Sequence, residues 1–181
     1  MKRTLLIIAI VLLALVSGFY QEKIKISVNY LLERGDQIPG YYQATPEQRR
    51  QWIEQTRLDT PFDYYHNHQT VSWLYNLNRS ELNKLKWGIT FFFMGWFLMI
   101  NWVALYALNA RLAAGRVLAL SYLSMSIIAI ILFLAGRGGS LEVHTYALSR
   151  KILGALQSIV PAMIIWPASV LWQQTKSSKP S

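Results

Sequence analysis

Metal-ligating residue types gather at one place in this sequence, Asp63, His66 and His68 in the run PFDYYHNHQTVSWLYNL at Pro61–Leu77. On a strand the two histidines would share a face and a carboxylate could complete a facial ligand set. The spacing is short and no further acidic signature accompanies it. That favours polar residues in an interfacial aromatic segment, so no metal and no cofactor is expected. Ser140, Glu142 and His144 supply the residue types of a hydrolytic triad. A triad is a geometry that spacing does not establish, and a flexible connector containing Gly138-Gly139 is the preferred reading of these residues. No catalytic residue is expected. Asn78-Arg79-Ser80 has the form of a glycosylation sequon, against which Ser80 is read as a helix N-cap. Asn101 lies deep in an apolar segment, where a polar side chain needs a partner; a hydrogen bond between helices is expected.

What remains is aromatic. Tyr64, Tyr65, Trp73, Leu74 and Tyr75 fit either packing at a bilayer surface or a docking face, because aromatic side chains dominate protein interfaces. With Asp63, His66 and His68 they form the candidate interaction set.

The elements that must position these residues are mostly apolar. Charged residues make up only 15% of the 181, and eight of the nine acids fall between Glu22 and Glu81. A soluble domain distributes charge over its surface at about 25% of residues; this pattern is that of a multi-pass membrane protein. The net charge of +9 does not point to nucleic acid. Residues 21–86 are nearly neutral, with nine Lys/Arg against eight acids, and the excess sits beside apolar segments, where topology and anionic headgroups account for it. The chain has no cysteine, which excludes disulfides, thiol nucleophiles and thiolate metal sites.

The reading is all-α: a four-span transmembrane bundle with a helical, aromatic-rich extracytoplasmic loop between spans 1 and 2. Residues 1–20 form the first span, either a retained signal anchor, which is favoured, or a cleavable signal peptide with a site at Val16-Ser17-Gly18. Residues 21–86 form the loop. Glu22–Gly35 fits both a strand alternation and a helical face, and a helix continuing out of the first span, with Gly35 as its C′ residue, is preferred. Thr45-Pro46-Glu47-Gln48 is a capping box that starts a helix running to about Arg57. Val71, Leu74 and Tyr75 suit a short amphipathic helix, and Ser80 is expected to begin a helix running on into the membrane. The loop has few large apolar residues outside its aromatic block, so it is expected to lack a core of its own.

Residues 87–172 hold three spans, Trp87–Leu108, Val117–Gly136 and Ile152–Trp172, each long enough for a hydrocarbon layer of about 30 Å. Beyond Lys2 and Arg3 at the start of the first, none of the four spans contains an acid or base. Ser121, Ser124 and Ser126 suit close helix contact, and Pro161 and Pro167 predict a kink in the last span. Residues 173–181 are a polar tail. Basic connectors without acids at both termini and at Asn109–Arg116 place those three on the cytoplasmic side, with residues 21–86 outside. The opposite side holds more Lys/Arg in total, but nine lie in a loop too long for the rule to count.

Phe19-Tyr20-Gln21-Glu22, Pro61-Phe62-Asp63-Tyr64-Tyr65 and Ser72-Trp73-Leu74-Tyr75-Asn76-Leu77, in this layout, resemble the small exosortase-associated membrane proteins of bacteria, the exosortase X-associated type most closely. The first half of the chain carries the resemblance. It implies a non-enzymatic accessory protein of the bacterial cytoplasmic (inner) membrane, working with an exosortase-like enzyme that processes sorting signals. Exosortases resemble cysteine transpeptidases, and no catalytic residue carries over to a chain without cysteine. The expected partners are the lipid bilayer and a membrane protein or a second copy of the chain. An oligomeric transport or channel component is the alternative.

Overall fold

The computed structural model describes residues 2–55, 71–108, 110, 112–136 and 142–177. Among them there are six α-helices and no strand: α1 (Lys2–Gln37), α2 (Pro46–Glu54), α3 (Arg79–Ala107), α4 (Leu112–Ala135), α5 (Glu142–Leu156) and α6 (Val160–Ser177), with 3₁₀ turns at Tyr41–Gln43 and Ser72–Asn76. α1, α3 and α4 are each long and apolar enough to cross a membrane. α5 and α6 meet that test only as a pair, bent by 66° at the break between them. The chain therefore carries three candidate spans, or four if the bent pair is one. Large apolar side chains stand exposed along these helices, Phe92, Tyr106, Leu120 and Ile131 among them. Outward apolar faces of this extent are stable where lipid covers them.

The chain divides into two compact units, residues 1–18 with 93–181 and residues 19–92. In the first, Ile10 and Ala14 of α1, Phe97, Ile100 and Ala104 of α3, and Leu118 and Tyr122 of α4 belong to one buried cluster. Small residues let the helices approach. The ring of Trp102 packs on Gly115, where an added Cβ would lie 3.2 Å from it, and Trp96 donates its indole N–H to Ser17 Oγ at 2.9 Å. Of the three serines expected to serve helix contact, Ser126 Oγ reaches the sulfur of Met94 at 3.4 Å, while Ser124 bonds back to Ser121 O within its own helix.

In the second unit α1 does not stop at Gly35. The strand alternation of Ile24–Tyr30 is overridden by an unbroken helix to Gln37, which ends where Pro39 disfavours helix in the residue before it. Gly40 then takes φ 78°, the left-handed conformation that glycine tolerates. Gly35 serves packing instead of capping: a Cβ there would meet Tyr42 Oη at 2.6 Å and the Tyr41 ring at 2.7 Å.

The Thr45 capping box forms as expected, with Thr45 Oγ1 accepting from Gln48 N–H, Gln48 Oε1 accepting from Thr45 N–H, and Pro46 in the first turn. α3 begins at Arg79, with Asn78 in place of Ser80 as its cap. Asn78 Oδ1 accepts from Glu81 N–H at 3.0 Å and Glu81 Oε2 accepts from Asn78 N–H at 2.7 Å. A core of its own was not expected here. Yet Val28, Tyr30, Leu31, Tyr41, Ile53, Leu74, Tyr75 and Leu82 are all buried, many of them on helices that also supply the spans.

Candidate functional site

Two groups of side chains organise the described residues. The first centres on Arg49, whose side chain is only 8% exposed. Its Nε donates to Tyr41 O at 3.0 Å, Nη2 to Tyr42 O at 2.6 Å, and Nη1 to Tyr75 O and Leu77 O, both at 3.0 Å. The guanidinium also lies 5.8 Å from the centre of the Tyr41 ring. Each of these hydrogen-bond acceptors is a backbone carbonyl. Arginine suits this role because its planar fork offers five donors and stays charged. It ties the turn at Tyr41–Gln43 and the turn at Ser72–Asn76 to α2, which packs against the latter. Asp36 adds an exposed bidentate pair to Arg79, at 2.8 and 2.9 Å.

The clamp fixes part of the predicted interaction set. Leu74 and Tyr75 are buried, each within 2% of complete, whereas Trp73 between them is 46% exposed. Trp73 is thus the one of the three that presents its side chain outward. Asp63, Tyr64, Tyr65, His66 and His68 lie outside the described residues. His144 stands exposed on α5, and among the described residues no three His, Cys, Asp or Glu side chains converge as a metal site would require.

Burial pushes the Tyr41 phenol above its usual range, with Tyr75 and other tyrosines adding to the shift and Arg49 opposing it. Tyr42 is raised too, first by burial and then by Asp36. Raised phenols hold their protons in the folded state at a pH where the unfolded chain, with tyrosine near 10, has begun to lose them. Their stabilising contribution is therefore complete below about pH 10 and is lost as pH climbs through the folded values. A pH titration followed by amide exchange of residues 38–45 is expected to show protection flat from pH 7 to about 10 and falling above it.

The second group sits at the break between α5 and α6. A helix interrupted at membrane depth exposes backbone groups that lipid does not satisfy. Here many of them have partners within the protein. Ser158 Oγ accepts from Val160 N–H at 3.2 Å, Pro161 has no N–H to satisfy, Asn101 Oδ1 accepts from Ala162 N–H at 2.8 Å, and Ile159 O accepts from Met163 N–H. On the other side, Ala155 O accepts from Ser158 Oγ, Leu156 O from the Tyr122 hydroxyl at 2.6 Å, and Ser158 O from Asn101 Nδ2 at 2.8 Å. Asn101 Nδ2 also lies 3.1 Å from Tyr122 Oη and 2.7 Å from Phe97 O. Asn101 is completely buried. The expected hydrogen bond between helices is present, and its target is the broken backbone of a neighbour.

The expected single span Ile152–Trp172 is corrected by this break. The helix bends ahead of Pro161, and Pro167 sits inside α6. Arg150 and Lys151 lie on α5, the first helix of the bent pair, just ahead of the expected start at Ile152. Nearby, an apolar groove of about 400 Å³ lined by Ile7, Ile10, Ala104, Leu108, Met163 and Trp166 offers no polar side chain to orient a substrate.

The chain matches no protein-family model, no curated protein and no solved structure. The functional reading therefore rests on its own residues. Arg49 and Tyr122 escaped the sequence reading. For Arg49 a signal existed: it shares the i, i+3, i+4 face of Trp52 and Ile53, the face by which α2 docks.

Proposed function

We propose that this chain is a non-enzymatic accessory protein of a bacterial inner membrane that docks a membrane partner through the unit of residues 19–92. The observation that carries the reading is the Arg49 clamp. A cation buried against four backbone carbonyls rigidifies two turns, and the same construction leaves Trp73 outward on a fixed base. Rigid, exposed aromatic anchors are the residues on which protein interfaces concentrate their energy. The resemblance to exosortase-associated proteins makes an exosortase-type enzyme the partner of choice. Asp63, Tyr64, Tyr65, His66 and His68 complete the proposed interaction set on the strength of their residue types. The orientation proposed is both termini in the cytoplasm with residues 21–86 outside.

Co-purification in mild detergent of the chain with a co-expressed exosortase-type enzyme tests this. Trp73→Ala is expected to weaken recovery of the enzyme by about tenfold or more, in the range of an aromatic hot spot. Unchanged recovery with Trp73→Ala rejects Trp73 as the anchor. Recovery of the chain only as a homo-oligomer that conducts ions in liposomes replaces the docking reading with a channel. Alanine at both His66 and His68 is expected to leave metal content unchanged.

A further inference from the structure

Arg150 lies on α5 where that helix packs along the candidate span of α4. Ser149 Oγ donates to Ala129 O at 2.9 Å, and the rings of Tyr146 and Phe133 lie 6.2 Å apart. These two contacts fix α5 antiparallel along α4. The candidate span of α4 is Ala113–Ala135, with Ser124 at its midpoint. Ala129 is five residues from that midpoint, or about 8 Å at the helical rise. With that span centred on the bilayer, the backbone of Arg150, beside Ser149, lies inside a hydrocarbon half-layer of about 15 Å. A bare guanidinium at that level is costly.

The side chain resolves this by running towards the N-terminal end of α5, the direction helical side chains favour. Its guanidinium carbon lies 5.8 Å from the centre of the Tyr146 ring, which is level with Phe133. Phe133 is nine residues from Ser124, or about 13 Å from the midplane. The charge is thus carried up to the headgroup boundary, with its stem in the apolar layer and one face on an aromatic ring. Arg150 and Tyr146 are both exposed. Neither Arg150 nor Lys151 is ion-paired among the described residues, whose salt bridges join Arg50 to Glu54 and Arg79 to Asp36. The sequence gives this unit a single acid, Glu142, about 12 Å along the helix axis from Arg150.

We propose that Arg150, seated on Tyr146, binds the phosphate of an anionic phospholipid in the leaflet that holds the N-terminal end of α5. An arginine fork matches a phosphate bidentately, and a guanidinium near the level of Phe133, at the edge of the hydrocarbon layer, is within reach of lipid phosphates just beyond it. A carboxylate on a partner's span would instead be met deeper in the layer, where the side chain does not point. Lys151, one residue on, supplies a second positive charge to the same helix.

The test places the full-length protein in nanodiscs of phosphatidylcholine with or without phosphatidylglycerol and measures retained lipid by native mass spectrometry. Arg150→Gln is expected to lower retained phosphatidylglycerol by about tenfold, the equivalent of about 1.4 kcal/mol, with helicity unchanged. Arg150→Lys is expected to fall between, and Lys151→Gln to lose less than Arg150→Gln. Wild-type retention by Arg150→Gln overturns the proposal. If that variant does not fold, the wild type decides: phosphatidylglycerol is expected to slow modification of Arg150 by phenylglyoxal, and equal rates in both lipids overturn the proposal. Protection in both lipids that disappears when a co-purified protein is stripped away assigns the site to a partner carboxylate, and also overturns it.

Discussion

Asn101→Leu is expected to destabilise the membrane unit by about 2–4 kcal/mol, because it leaves the N–H of Ala162 and the C=O of Ser158 without partners. Hydrogen bonds between side chains in membranes average only about 0.6 kcal/mol, since the separated helices find other partners. The groups at this break differ. They are backbone, fixed at the ends of two helices, and in lipid they have nothing else to bond. Tyr122→Phe removes the bond to Leu156 O and is expected to cost about 1 kcal/mol. The two side chains lie 3.1 Å apart, so the double variant should depart from additivity by about 0.5 kcal/mol or more. Unfolding in mixed micelles of rising SDS content, followed by tryptophan fluorescence, measures all three. An Asn101→Leu effect below about 0.5 kcal/mol would show that the break is satisfied by other means.

Arg49→Met should act on the other unit and act locally. It keeps most of the apolar stem but strips four carbonyl oxygens of their donor, and a loss of about 3–5 kcal/mol is expected from breaking a buried charged network. Arg49→Lys should recover less than half of that, because an ammonium is a point charge and does not span acceptors on both turns. Amide exchange is the suitable readout. Protection in residues 41–55 and 72–77 should fall together, since one side chain holds both, while α4 and α5 keep theirs. Loss in one turn with retention in the other would mean that Arg49 does not couple them.

Much of the helical layout was legible in the sequence because membrane spans announce themselves by length and composition. The capping box at Thr45 was equally legible, since its chemistry is local. Three features were not. The start of α3 turned on whether Asn78 or Ser80 would cap, and the reciprocal bond with Glu81 decided for Asn78. The break ahead of Pro161 was foreseen only as a kink, because its stability depends on Asn101 and Tyr122, distant in sequence by 60 and 39 residues from Pro161. Arg150 and Lys151 read as a charged connector because the apolar run begins after them. Their depth follows from the register of α5 on α4, a tertiary fact. Of the candidate site, Trp73, Leu74 and Tyr75 were marked as one aromatic patch; packing separates the outward Trp73 from its two buried neighbours.

The docking reading is tested most directly by placing a photo-crosslinking amino acid at position 73 and irradiating intact membranes that contain a co-expressed exosortase-type enzyme. A crosslinked species containing both chains, lost when Arg49→Met loosens the base beneath position 73, is the predicted result. Crosslinks to lipid or to a second copy of the chain alone, with the enzyme present at equal level, would contradict it.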